Sequence, residues 1–261
     1  MSIATAIVAN GGKHDLLRYA VGIAALTFLW AVIERLGYGI AARYTLLQVV
    51  AMRYGAHLLL LGLRALWRGP ARLVATRHPG LQDARGFCMF VMPFSFIIGG
   101  AKGGTAGELW SAFWIAPIVI VLLARWWLNE RFTPGTLIVL ALGYVGALLV
   151  LHERPMLGVA LFWSLVSALA FAVYMVLSRR LRDETLESSL FYTSAVGFAC
   201  MLPLAVLYWV PIAPRDLPAI AGVGIVGLAL LALLDLAVEH APAGYFAPLL
   251  YALVAWELLF G

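Results

Sequence analysis

The chain has 261 residues, of which 64% are hydrophobic and only 12% charged, with a mean hydropathy of +0.96. Soluble domains run roughly 45–50% apolar and about 25% charged, so this composition excludes a soluble globular protein and describes an integral membrane protein. The net charge of +5 points to no nucleic-acid partner, because no basic soluble module exists to carry it and Lys and Arg beside apolar runs mark cytoplasmic loops.

A membrane-spanning helix needs about 20 mostly apolar residues, which leaves room for nine spans, short loops and no separate catalytic module. The run from Ile3 to Ala9 is too short to span and lacks the basic start of a signal peptide, so residues 1–18 read as a cytoplasmic arm. Spans are predicted at 19–42, 44–67, 86–101, 109–128, 136–151, 156–177, 190–210, 219–238 and from 245 onward. Stretch 68–85 is Arg-rich with helix breakers and reads as a loop. Arg64, Arg68, Arg72, Arg77, Arg85, Arg179, Arg180 and Arg182 fall on one side of such a layout, whereas Arg43, Lys102, Arg154 and Arg215 fall on the other. That asymmetry places the N-terminus in the cytoplasm of an inner-membrane protein.

One element is used twice. Ala116-Pro117 heads an apolar run followed by Trp126, Trp127 and Glu130; Ala247-Pro248 heads another followed by Trp256 and Glu257. Two halves, 19–152 and 156–261, thus read as repeats. Because each half of a full pair would hold five spans, an odd number, the second enters the membrane upside down, as in many secondary transporters. The fold class expected is an all-α polytopic membrane protein of two inverted five-helix repeats, with nine spans present. The last span has not ended at Gly261, and it lacks a counterpart of 136–151, so a tenth helix is expected to be missing from the chain.

The order of these pieces resembles a known family. Ala116-Pro117 with its apolar continuation, then Asn129-Glu130-Arg131-Phe132-Thr133-Pro134-Gly135, is similar to a stretch of the EamA branch of the drug/metabolite transporter superfamily, in which Gly is commoner at the Asn129 position. Ala241 to Tyr251 resembles its second-half counterpart, and Gly158 to Arg182 its sixth helix with a basic tail. The resemblance implies a ten-helix transporter with a central cavity lined chiefly by helices one, three, four, six, eight and nine.

Ionisable residues inside spans are functional candidates by default. Arg53 lies near the middle of span two, with His57 on its face at i+4; Glu34 in span one falls in the same half of the bilayer and is the candidate partner. A structural ion pair and a substrate or coupling role both stand open for them. Asp235 and Glu239 stand one turn apart with His240 beside them, Glu239 and His240 reading as an exposed helix end and Asp235 as deeper. Glu257 sits in an otherwise apolar helix beyond Tyr251. Pro93, Pro117, Pro203 and Pro248 each remove a backbone donor, and the recurring pair Pro117/Pro248 points to facing sites in the two halves. Trp30 and Tyr174 are the expected aromatic cavity residues, whereas Trp110, Trp114, Trp126, Trp127 and Trp209 fit interfacial belts. Cys88 and Cys200 lie in apolar runs without metal spacing and read as core filler; no metal or cofactor is expected.

These features predict a secondary transporter of a small organic metabolite (amino-acid, nucleoside or drug-like solute), working by alternating access. No GxxxxGK[ST] pattern appears, so ATP is not a direct drive. The reading leaves room for proton coupling and for a homodimer. The competing readings are a polytopic membrane enzyme acting on lipid-linked substrates, and a non-transporting fragment or partner subunit.

Overall fold

The structure, a computed structural model, describes residues 13–151 and 158–260. Among them every regular element is helical. The long elements are α1 (Lys13–Ala41), α2 (Leu46–Arg68), α4 (Pro79–Ala101), α7 (Pro134–Leu151), α8 (Val159–Arg180), α9 (Leu186–Val206) and α10 (Leu217–His240). Shorter ones are α3 (Ala71–Val74), α5 (Ala106–Phe113), α6 (Ala116–Trp127), α11 (Ala243–Leu249) and α12 (Ala252–Phe260). Among the described residues seven segments are long and apolar enough to cross a membrane, with shorter apolar helices at Pro134–Val150 and Ala243–Trp256.

Three of the predicted segments differ in the structure, the ninth span among them, which divides into α11 and α12. The 68–85 stretch is not all loop, because α4 begins at Pro79, a residue suited to the first helical position. Its first turns are polar, with Gln82 and Arg85 buried inside the protein. The predicted fourth span is two helices, α5 and α6, joined through Trp114 and Ile115. Hydropathy is continuous across this joint, but Pro117 cannot donate into a helical ladder. The Ile118 N–H turns to the Ile115 carbonyl at 3.0 Å, leaving the Trp114 carbonyl free of the ladder. That carbonyl accepts the Tyr251 hydroxyl at 3.0 Å. Tyr251 lies at the joint between α11 and α12, the second interrupted apolar segment. Its ring rests where a Cβ on Gly143 of α7 would lie only 2.3 Å away, so that glycine permits the contact.

α8 runs through the centre, packing on α4, α5, α6 and α10. Its buried face is built of small residues, Ser164, Ser167, Ala168, Ala170 and Ala172, which admit close neighbours. Ser167 Oγ donates to the Met92 carbonyl of α4 at 3.0 Å, and Ser164 Oγ to the Leu109 carbonyl of α5. On the other flank α10 presents Gly224 and Gly227 to α2; a Cβ at Gly224 would lie 2.4 Å from the Ala56 Cβ. α7 shows the opposite character: Ile138, Leu142 and Leu149 are exposed, a face for lipid.

Candidate functional site

A cavity of about 540 Å³ lies among α1, α2, α4, α5, α8 and α10. Its rim is at the end where α1 stops and α2 starts, and includes Tyr38, Leu46 and Tyr208, all exposed. The walls pass Glu34, Arg53 and Trp110 to a floor of Trp30, Met89, Phe171, Leu231 and Leu234. The aromatic rings lock one another: Trp30 meets Phe171 edge-on at 5.4 Å, and Phe96 lies 4.8 Å from Trp110.

Arg53 is the cationic residue of the lining and Glu34 its carboxylate. A charge at such depth costs at least about 2.5–3.5 kcal/mol on insertion scales unless it is compensated. The Arg53 guanidinium sits 5.0 Å from the centre of the Tyr54 ring, with Nη2 a long 3.4 Å from the Tyr54 hydroxyl. Its Nε is buried and has no hydrogen-bond partner. Tyr54 in turn donates to the Met89 carbonyl at 2.9 Å. This is the acceptor that Pro93, four residues on, cannot serve, so the cation is tied to the proline kink of α4. His57, fully buried, has Nδ1 3.4 Å from Ser194 Oγ. Its Nε2 is buried without a hydrogen-bond partner, 2.8 Å from where a Cβ on Gly227 would lie.

One turn beyond the floor, on three helices at once, lies a polar cluster: Arg85 below Met89, Tyr174 below Phe171, and Asp235 below Leu231. Arg85 is 1% exposed, with Nη1 3.4 Å from Asp235 Oδ2 and 3.5 Å from Ser178 Oγ. Its Nη2 donates to Thr193 Oγ1 at 2.9 Å and to the Ser189 carbonyl. The Tyr174 hydroxyl donates to Asp235 Oδ1 at 3.0 Å. A recess of about 20 Å³ lined by Arg182, Glu184 and Glu239 reaches the same Arg85–Asp235 pair from the Arg-rich end.

Residues 17–152 match the EamA-like transporter family. The chain belongs to the EamA-like transporter family. It is 31% identical to the chloramphenicol-sensitive protein RarD of Pseudomonas aeruginosa over 121 residues, 46% of this chain and 38% of that protein. An uncharacterized transporter of Helicobacter pylori is 29% identical over 156 residues, 56% of this chain and 52% of that one. These matches thus span about half or less of each curated relative. A crystal structure of a protein 19% identical superposes with a TM-score of 0.74, covering 93% of this chain and 85% of that one, and shows the shared fold. Family and relatives' names point to transport rather than catalysis, in an integral membrane protein.

The EamA-like stretch after α6 has a structural task. Asn129 takes a left-handed backbone, φ 54°, which Gly and Asn adopt most readily. This turns Glu130 back, so that Oε1 pairs with Arg179 Nε at 3.1 Å and Oε2 accepts the Ala243 N–H at 2.8 Å. Arg179 Nη1 donates to the Val238 and Glu239 carbonyls at 2.8 and 2.6 Å. The carboxylate therefore serves the start of α11 and the guanidinium the end of α10, each the favourable sign for its terminus.

Of the residues singled out from sequence, Trp30, Glu34 and Arg53 line the cavity; His57 stands behind Arg53 against Gly227. Asp235 and Tyr174 meet in the polar cluster rather than on the lining. Pro117 and Pro248 sit at the two helix interruptions, joined by Tyr251 and away from the cavity. The Glu257 side chain lies outside the described residues. Two expectations need correcting. Trp110 lines the cavity and Trp114 is 4% exposed, so neither belongs to an interfacial belt. The lining includes α2 and not the ninth span, because α11 packs on α6 and α7 and α12 on the flank of α1. Arg85, Glu130 and Arg179 were not distinguished as site residues; the signal for Arg85 was Gln82, Arg85 and Met89 at helical spacing after Pro79.

Proposed function

We propose that this EamA member is a secondary transporter, moving a small organic solute (amino-acid, nucleoside or drug-like) across the cytoplasmic membrane by alternating access. The observation that carries the reading is the asymmetry of the cavity: wide at one end, sealed at the other by Arg85, Asp235 and Tyr174. Its volume of about 540 Å³ falls within the roughly 300–1,000 Å³ of small-molecule sites. The Arg-rich end faces the cytoplasm by the loop-charge rule, so this form is open to the outside. Reaching the inward-open form requires separating α4 from α10 at Arg85–Asp235, with the two inverted halves rocking about the site. A proton or solute gradient drives the cycle. Metabolite profiling of cells with and without the full reading frame identifies the solute, and counterflow in proteoliposomes tests it. Solute-dependent flux lost in Asp235→Asn and Arg85→Gln is expected; absence of any counterflow for every solute that profiling nominates would overturn the proposal.

A further inference from the structure

We infer that the solute is an amphipathic organic anion, its carboxylate or equivalent headgroup held by Arg53 and its apolar body by Trp30, Phe96, Trp110 and Phe171. This rests on the transporter reading only for the word solute; the binding chemistry stands on the cavity. Arg53 is the cation on a wall that is otherwise mostly apolar and aromatic. The protein leaves its buried Nε without an acceptor, so the cation is incompletely answered, and the part of the guanidinium on the lining selects a ligand that brings acceptor and negative charge together. The Tyr54 contact uses Nη2 at a long 3.4 Å and supplies no charge. Glu34 lies on the same lining but is engaged within the protein. Gly227 lets α10 pack close against the Arg53 stem and hold it in place, since a Cβ there would lie 3.0 Å from Arg53 Cδ and 2.8 Å from His57 Nε2. The rings offer flat apolar surfaces to the remainder of the ligand.

The test titrates 3-phenylpropionate, 3-phenylpropanamide, 3-phenylpropylamine and phenylalanine into the purified full chain in nanodiscs, with calorimetric readout. The carboxylate is expected to bind at least about tenfold tighter than the amide, as a charge-assisted hydrogen bond requires. Arg53→Gln should bring that ratio close to one, while Arg53→Lys keeps part of it; should Arg53→Gln fail to fold, the wild-type ranking decides. Equal affinities, a preference for the amine, binding of the zwitterion alone, or no binding by the carboxylate overturns the inference. Counterflow of labelled carboxylate is read separately. Carboxylate-selective binding without flux defeats the transporter reading and leaves the inference intact, whereas flux of neutral or cationic solutes without carboxylate binding does the reverse.

Discussion

Gly227 shows how little slack the site has at the level of one residue. A methyl group there would meet His57 Nε2 at 2.8 Å, Ile33 Cδ1 at 2.9 Å and Arg53 Cδ at 3.0 Å, all from packed helices. Gly227→Ala should therefore destabilise the protein by about 1–3 kcal/mol, the usual range for overpacking. Gly222→Ala, one and a half turns away with nothing within 4 Å of its Cβ, should be neutral or slightly stabilising, since alanine is the better helix former. Thermal unfolding in detergent compares the two, and equal melting temperatures would contradict the packing. Tyr54 makes a second case. Tyr54→Phe orphans the Met89 carbonyl, at about 1–3 kcal/mol for a buried acceptor. Pro93→Ala returns a backbone N–H to that carbonyl, so Tyr54→Phe should cost less in that background; a double-mutant cycle with no coupling would refute the arrangement. Sequence could mark Arg53 as costly and Pro93 as a missing donor, but not that one tyrosine answers both, because their link crosses between two helices 35 positions apart in the chain.

At the level of elements, hydropathy located the membrane-crossing segments well and their interruptions poorly. α5 and α6 read as one span because the apolar run from Ala112 to Ala124 passes unbroken through their joint, while the break depends on which donor each carbonyl finds. α4 lost its first turns to a loop because Gln82 and Arg85 are polar, and the counter-charge that helps make that arginine buriable, Asp235, lies 150 positions along the chain. Glu130 and Arg179 bind three helix ends together, and their polarity is part of the design. Glu130→Ala should lower stability by about 1–3 kcal/mol by stripping the α11 N–H and Arg179 of their acceptor. The exchange Glu130→Arg with Arg179→Glu keeps an ion pair but turns both charges against their helix termini. It should not rescue, and recovery of wild-type melting would show that the pair alone matters.

For the molecule as a whole, the polar cluster divides two spaces of unequal depth. In a background carrying Cys88→Ser and Cys200→Ser, a cysteine replacing Met92 on the cavity wall should react with a membrane-impermeant thiol reagent from the rim side alone. Adding Asp235→Asn, which leaves Arg85 without its carboxylate, should bring reactivity from the Arg-rich side as well; unchanged one-sided labelling would mean that the cluster is not the seal. Oriented vesicles distinguish the sides. Trp110 was misplaced from sequence for a reason that belongs to this scale: an indole suits a headgroup region and a solute cavity equally, and only the closure of six helices decides between them. That closure also sets the electrical profile. The cavity descends from the rim to Met89 and Phe171, the small recess climbs from the other end to Arg85 and Asp235, and the insulating layer between them is about one helical turn, roughly 5.4 Å. Where water fills both spaces, this layer carries a larger share of a membrane voltage than the same thickness does in the roughly 30 Å of lipid elsewhere. Any net charge then carried past Arg85 and Asp235 crosses that share in a single step, the full potential being worth about 2.3 kcal/mol per 100 mV.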